Sequence, residues 1–299
     1  MKPPTNPASG ILLVDKPQGI TSHDVVSRTR KLAGTRKIGH AGTLDPMATG
    51  LLVLGMNSST RLLTFVVGLG KEYTATIRLG QASDTDDAEG TLGEALDVSA
   101  IDDDQIAAGI ARLTGDIEQV PSSFSAIKVD GKRAYTLVRE GEDVVLAPRP
   151  VTVYAFEVLD VRRDETGYVD LDVRVECSSG TYIRALARDL GAALGVGGHL
   201  TALRRTRIGP FTVDAAAGLD DALADLMLKP AAVASSLFER VDLGAEEADY
   251  LSHGKRIALG ATGTGILAAV GPDDRLVGLV NNVDGRAHVL VNFPRETAQ

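Results

Sequence analysis

Two hydrophobic periods alternate along the chain, and they predict where strands and helices fall. Gly10-Ile-Leu-Leu-Val-Asp15 is a short apolar run that stops at the turn residues Lys16-Pro17-Gln18-Gly19, as a buried strand does. Thr21-Ser22 then offers an N-cap, and Asp24 favours the first turn of a helix. Its stripe is Val25, Val26, Thr29 and Leu32, closed by Gly34. Residues 35–50 hold Gly39, Gly42, Pro46 and Gly50 and are expected to be mostly loop. Residues 51–54 form another apolar run, and 60–67 suit a helix. Tyr73, Ala75, Ile77 and Leu79 alternate with polar residues at the period of a strand. A helix is expected over 102–113. Residues 121–150 mix Pro, Gly and basic side chains and read as a surface excursion, with a short helical piece near 133–140.

Residues 151–161 and 168–177 are expected to pair as strands. In the second, Val169, Leu171, Val173 and Val175 face one way, while Asp170, Asp172, Arg174 and Glu176 face the other, as in a sheet with one wet face. Ser178-Ser179-Gly180 offers a turn and a cap. Ile183, Leu186, Ala187, Leu190 and Leu194 then make a helical stripe, and 200–208 a strand. After Ala215 the composition changes. An Ala- and Asp-rich helical stretch over 219–240 precedes Gly-punctuated strands at 264–270, 276–282 and 287–292. The predicted architecture is α+β. A mixed, largely antiparallel central sheet with flanking helices spans 1–235, and a small β-rich domain spans 236–299.

Composition narrows the class. Of 299 residues, 44% are hydrophobic and 24% charged, which is ordinary globular usage and excludes a largely disordered chain. No apolar stretch approaches the roughly 18 residues that span a bilayer, and residues 1–10 lack the apolar core of a signal peptide. Neither membrane attachment nor export is therefore expected. Cys177 is the only cysteine, so no intrachain disulfide or cysteine-based metal cluster is possible, and a reducing cytoplasm is the expected location.

The net charge of −9 argues against nucleic acid only if it is taken whole. Residues 1–83 carry +6 and residues 84–118 carry −10, so one acidic segment outweighs the entire imbalance. Basic residues cluster at Arg28, Arg30, Lys31, Arg36 and Lys37, at Lys128, Lys132 and Arg133, and at Arg204, Arg205 and Arg207. A charged footprint belongs to a face rather than to a total.

The densest unusual segment is Lys37-Ile-Gly-His40-Ala-Gly-Thr-Leu-Asp45-Pro46-Met-Ala-Thr-Gly50. Pro46 pushes Asp45 into extended backbone, and the glycines permit close approach, so a carboxylate here can be aimed at a ligand. No Gly-Lys-Ser/Thr follows, which excludes a P-loop. Gly191 and Gly195-Val-Gly-Gly198 end a helix rather than open one, so a dinucleotide site is not expected.

That loop resembles the signature of the bacterial tRNA pseudouridine-55 synthases, the TruB family. The resemblance continues in family order over residues 10–215. It includes Gly10-Ile-Leu-Leu-Val-Asp-Lys16-Pro17-Gln-Gly19-Ile-Thr-Ser22, Lys71-Glu-Tyr73, Leu79-Gly80-Gln81 and Asp84-Thr85-Asp86. Pro121-Ser-Ser-Phe-Ser125-Ala-Ile-Lys128 with Gly131-Lys132-Arg133-Ala-Tyr135 is similar to the family's RNA-gripping loop. Cys177-Ser-Ser-Gly180-Thr181-Tyr182-Ile183-Arg184 and Leu203-Arg204-Arg205 complete the set. The C-terminal segment resembles the family's RNA-binding PUA domain in position and at Leu251-Ser-His253-Gly254.

The resemblance implies a pseudouridine synthase fold. The implied activity is isomerisation of uridine 55 in the T-arm of tRNA, by flipping the base, breaking its glycosidic bond and rejoining it through C5. No cofactor or metal is implied. The implied partner is the T-arm stem-loop, with no obligatory protein partner and a monomeric enzyme. Asp45 matches the essential aspartate, which attacks the nucleotide or abstracts a ribose proton. Arg184 matches the ion-pair partner that keeps it ionised, and Tyr73 the residue that stacks on uracil. Tyr182 and Leu203 match further base-contacting positions, and His40 the residue that fills the gap left in the RNA. Lys16, Lys128, Lys132, Arg133, Arg204 and Arg205 complete the implied substrate-binding set. The basic loop and arginine residues would contact phosphates, and Asp84 and Asp86 are the acids of 84–118 closest to a family block. Without the resemblance, Tyr73 reads as core packing, His40 as a solvated side chain and Asp45 as a turn residue. Two other readings stay open at this point: an RNA-binding or RNA-folding protein on a synthase scaffold, and a guide-RNA-dependent dyskerin-type relative.

Overall fold

The computed structural model describes residues 8–125, 128–129, 132–133, 137, 146–163, 167–219, 226–259, 263 and 265–295. Its contacts group into two units. One holds Met1–Pro46, Gly50–Val67 and Pro210–Gln299, and the other Met47–Thr49 and Gly68–Gly209.

The first unit opens with strand β1 (Gly10–Lys16), every residue of which is buried except Asp15. Helix α1 (Ser22–Ala33) follows. Thr21 is its N-cap, closing a capping box with Asp24, and Gly34 ends it in the left-handed region at φ 64°. Val25 and Val26 face the core, but Leu32 of the expected stripe is exposed. The buried face ends at Thr29, whose hydroxyl donates to the Val25 carbonyl. Residues 35–50 are less loop-like than expected. Ile38–Ala41 forms strand β2, because its backbone pairs antiparallel with strand β3 (Thr49–Met56). β3 also pairs antiparallel with β1, in register from Gly50 opposite Lys16 to Met56 opposite Gly10. Leu12, Val14, Val25, Val26, Ile38, Leu52 and Leu54 meet in one core with Ala217 and Leu219. A 3-10 turn (Asn57–Leu62) leads into the short helix α2 (Leu63–Val67).

The second unit is built on strand β4 (Lys71–Leu79), followed by a small hairpin of β5 (Gln81–Ser83) and β6 (Leu92–Ala95). Helix α3 (Asp103–Arg112) takes Asp102 as N-cap, and strand β7 (Gly115–Gln119) follows. Two-residue strands β8 (Lys128–Val129) and β9 (Lys132–Arg133) pair antiparallel; the helical piece expected near 133–140 falls largely outside the described residues. Strands β10 (Arg149–Arg163) and β11 (Val169–Cys177), helix α4 (Ile183–Ala193) and strand β12 (Gly198–Ile208) complete the unit. The strands pair antiparallel in the order β12-β4-β11-β10-β7.

Burial alternates strictly along β4 and β11, so the sheet has one dry and one wet face. The wet face is laced with ion pairs: Arg174 to Glu72 at 2.7 Å, Arg207 to Glu176 at 2.7 Å, and Arg78 to Asp170 at 2.7 Å. Helix α4 packs on the dry side against β12 and β4. A Cβ on Gly191 would lie 2.2 Å from the Gly197 carbonyl carbon and the Gly198 nitrogen. The glycine-rich run 191–198 is thus a helix-to-strand close approach, and it needs no ligand to explain it.

The rest of the first unit begins with the short strand β13 (Phe211–Thr212). The helix expected over 219–240 is confined, among the described residues, to α5 (Pro230–Leu237), because proline favours the first helical position. Strand β14 (Glu239–Asp242), helix α6 (Ala245–Ser252) and strands β15 (Ile266–Val270), β16 (Leu276–Val283) and β17 (Arg286–Asn292) form the β-rich C-terminal part. β14 and β15 are parallel and the other neighbours antiparallel, over a core of Leu251, Leu267, Ala269, Val277 and Val280. The fold is α+β with mixed, largely antiparallel sheets. Among the described residues, no helix is long and apolar enough to cross a membrane.

Candidate active site

In the first unit the loop that carries Asp45 is clamped on both sides. The Leu44 amide donates to the Ser22 hydroxyl at 2.8 Å, and that hydroxyl donates back to the Leu44 carbonyl at 3.1 Å. The Pro46 carbonyl accepts from the Gly19 amide at 2.8 Å and from Lys16 Nζ at 3.4 Å. Lys16 is 0% exposed, and its ammonium also donates to Pro17 O at 2.9 Å and Ile20 O at 2.8 Å. Asp45 itself is half-buried. The turn after β1, the first residue of α1 and a buried ammonium therefore fix the peptides around the carboxylate. His40 is half-buried on β2, opposite Leu54, rather than on a loop.

Removing that ammonium has two expected effects. Lys16→Met takes the ammonium donor from the Pro17 and Ile20 carbonyls, while Pro46 keeps the Gly19 amide, at about 1–3 kcal/mol for each group left unsatisfied before relaxation. We expect roughly 3 kcal/mol lost in urea denaturation. Turnover should fall more than RNA affinity, because the loop loses its anchor while the charged surface is untouched.

In the second unit Tyr73 lies on β4, 7% exposed, with Val175 opposite on β11 and Arg205 opposite on β12. Leu203 is opposite Ala75, so Tyr73, Leu203 and Arg205 share the dry face. Lys71 is buried on the same face. Burial, then Arg205, push its ammonium down to about 8, against a weaker opposing pull from Cys177. Burial likewise pushes the Cys177 thiol up to about 11, so this cysteine is a packed core group rather than a nucleophile.

Arg184 stands in the first turn of α4, 4% exposed. The expected Ser178–Gly180 cap does not form. Tyr182 is the N-cap position, and the buried Gln119 side chain grips its backbone, accepting from the amide at 2.8 Å and donating to the carbonyl at 3.1 Å. The Arg184 guanidinium donates to Thr85 O at 2.7 Å, Ser122 Oγ at 3.1 Å and Phe124 O at 2.9 Å. Asp87 Oδ2 lies 3.4 Å from it, both side chains being 5% exposed. A cation near a helix N-terminus opposes the helix dipole, and this carboxylate and these carbonyls offset that cost.

Asp87 is held in turn by the Thr85 hydroxyl at 2.6 Å and the Glu89 amide at 3.0 Å. Asp86 beside it has φ 61° and pairs with Arg188 at 3.3 Å; its burial raises its carboxyl pKa despite that partner. Asp84 accepts from the Thr91 amide at 2.8 Å. Asp84 and Asp86 thus brace the loop, and Asp87, which the sequence pattern did not single out, reaches Arg184.

The remaining residues fall in different places. Arg204 is half-buried and reaches the Thr49 hydroxyl at 3.4 Å. Arg205 is 1% exposed, so in this conformation it sits inside the sheet's dry side rather than on the surface. Arg207 is committed to Glu176 on the wet face. Lys128 lies on β8, and Lys132 and Arg133 on β9, a two-strand ribbon within the basic excursion.

Three family descriptions match consecutive parts of the chain. "TruB family pseudouridylate synthase (N terminal domain)" matches residues 30–183. "tRNA pseudouridylate synthase B C-terminal domain" matches 184–246, and "tRNA Pseudouridine synthase II, C terminal" matches 238–294. The chain is 59% identical over 296 residues to the tRNA pseudouridine synthase B of Leifsonia xyli subsp. xyli (strain CTCB07), covering 96% of this chain and 97% of that one. It is 55% identical over 301 residues to the protein of that name from Arthrobacter sp. (strain FB24), covering 97% and 98%. Among solved structures it is similar to a chain of a Cbf5-Nop10-Gar1 complex, at TM-score 0.70 and 26% identity, covering 96% of this chain and 84% of that chain.

Proposed function

The chain belongs to the TruB family of pseudouridine synthases, and from that premise we propose that it converts uridine 55 in the T-arm of tRNA to pseudouridine. It is an isomerase that acts on tRNA. In the proposed reaction the target base leaves the stem-loop at a cost of a few kcal/mol. Its N1–C1′ bond breaks with help from the Asp45 carboxylate, the uracil turns, and C5 bonds to C1′ as the C5 proton departs and N1 gains one. Arg184 keeps the carboxylate ionised, while Tyr73, Tyr182 and Leu203 contact the uracil, and His40 fills the place it vacates in the RNA.

The observation that carries this reading is the Arg184 cage. A guanidinium is held at a fixed orientation by two carbonyls, a hydroxyl and a carboxylate, at a helix end where a cation is disfavoured. Lys16 and Arg205 act from inside in this reading, the first by anchoring the Asp45 loop and the second by standing beside Tyr73. Phosphate contacts then fall to Lys128, Lys132, Arg133 and Arg204, and supply affinity rather than base readout. The catalytic domain spans 1–235, and a PUA-like domain over 236–299 adds RNA contact. The enzyme works as a monomer in the cytoplasm, without a cofactor.

The test is incubation with unmodified tRNA followed by mapping of pseudouridine at single-nucleotide resolution. Modification at position 55 alone is expected, with loss of product when that uridine is replaced by cytidine. Modification at another position, with 55 untouched, would overturn the site assignment.

A further inference from the structure

Strand β4 carries a second titratable group beside Tyr73. Lys71 lies two residues earlier on the same dry face, so the two Cα atoms are roughly 7 Å apart along the strand, and its side chain is 6% exposed. Its ammonium donates to Leu69 O at 2.6 Å. Across the sheet, Cys177 of β11 and Ile208 of β12 stand opposite it, and Arg205, opposite Tyr73, is the neighbouring cation. Glu72, Arg174, Glu176 and Arg207 pair with one another on the wet face. Helix α4, packed over β12 and β4, brings Arg184, whose guanidinium is engaged by Asp87 and the 85 and 122–124 segments. On β4, β11 and β12 the dry face bears two cations and no carboxylate.

We propose that Lys71 is a positioning residue for proton transfer: together with Arg205 it supplies the positive field that favours the phenolate of Tyr73, the form able to take the C5 proton of the rejoined uracil. In that step the C5–H bond breaks, its electron pair restores the C5–C6 double bond, the C6–N1 π pair moves onto N1, which takes a proton from solvent, and the C5 proton passes to the phenolate oxygen and afterwards to solvent. Cations near a phenol favour its charged form. The proposal rests on the assignment of Tyr73 to the uracil-contacting set. Because burial and Arg205 hold Lys71 near 8, its charge is present at neutral pH and is lost a little above it.

The experiment is a series of single-turnover rates on unmodified tRNA from about pH 6.5 to 9.5, for wild type, Lys71→Met, Lys71→Arg and Tyr73→Phe. One pK unit of lost field corresponds to a tenfold change in the phenolate fraction. Wild type is expected to level off near pH 8. Lys71→Met should be about tenfold slower at pH 7 and still climbing at pH 9. Lys71→Arg, whose charge does not titrate in this range, should keep most of the neutral-pH rate and lose the break near pH 8. A Lys71→Met curve parallel to wild type, whatever its offset, overturns the proposal and leaves Lys71 a structural residue. Should Lys71→Met fail to fold, Lys71→Arg decides: a break retained at pH 8 overturns the proposal, and its loss supports it. Wild-type turnover in Tyr73→Phe would instead sink the Tyr73 assignment. An inactive Tyr73→Phe beside a parallel Lys71→Met curve would sink only the role of Lys71.

Discussion

Asp45→Asn should bind tRNA within about threefold of wild type and make pseudouridine at least on the order of 10⁴-fold more slowly. The substitution keeps the shape of the side chain and removes only its charge and nucleophilicity. The clamp around it is carried by other groups as well: Ser22 holds the Leu44 peptide, and Gly19 and Lys16 hold the Pro46 carbonyl. The loop should therefore keep its path and the loss should appear in the chemical step. Binding by filter retention and turnover under single-turnover conditions separate the two quantities. A variant that loses affinity as much as rate would mean that Asp45 shapes the loop instead of reacting.

The second large effect is expected at Arg184. Replacing it with Met keeps the bulk of the side chain but strands the Asp87 carboxylate and the carbonyls of Thr85 and Phe124 in a buried setting. Breaking one side of a buried ion pair costs about 3–5 kcal/mol. The lower end applies here, since the Asp87 contact is 3.4 Å and Asp87 keeps its bonds from Thr85 and Glu89. Turnover should fall by roughly 10³-fold, since the charge that balances the proposed reacting carboxylate goes too. Asp87→Asn is the informative companion. It removes the carboxylate charge while leaving the guanidinium its three other acceptors, so stability should drop by about 1–2 kcal/mol and turnover by much less than in Arg184→Met. Equal loss of turnover in both would show that the anion of Asp87, and not only the cation of Arg184, is required. Urea denaturation and single-turnover rates measure the pair.

What was legible beforehand follows from how local the cause is. The alternation on β4 and β11 is visible because one face of that sheet is wet and the other dry. The α1 cap is visible because Thr21 and Asp24 are three residues apart. The Asp45 loop stands out by its glycines and proline. Contacts between distant positions leave no such mark. Ser22 meets Leu44 across 22 residues, Lys16 meets Pro46 across 30, and Gln119 meets Tyr182 across 63. The resemblance put Lys16 in the substrate-binding set, and no pattern in the sequence shows that its ammonium meets three carbonyls. β2 was read as loop because its glycine suggests turn, whereas pairing with β3 decides its backbone. The acidic stretch around 84–87 shows which residues are acids but not which carboxylate turns inward. The positive φ of Asp86 aims that side chain at Arg188 and leaves Asp87 for Arg184.

Pseudouridine formation must expel the hydrogen on C5 of uracil, and release of that hydrogen reports the complete isomerisation. T-arm RNA carrying tritium at C5 of its uridines should lose the label of one uridine per molecule, that of position 55, to water with the wild-type protein, and none above background with Asp45→Asn bound to the same RNA. Tritium release by Asp45→Asn at a rate near wild type would contradict the assignment of Asp45 as the group that drives the reaction.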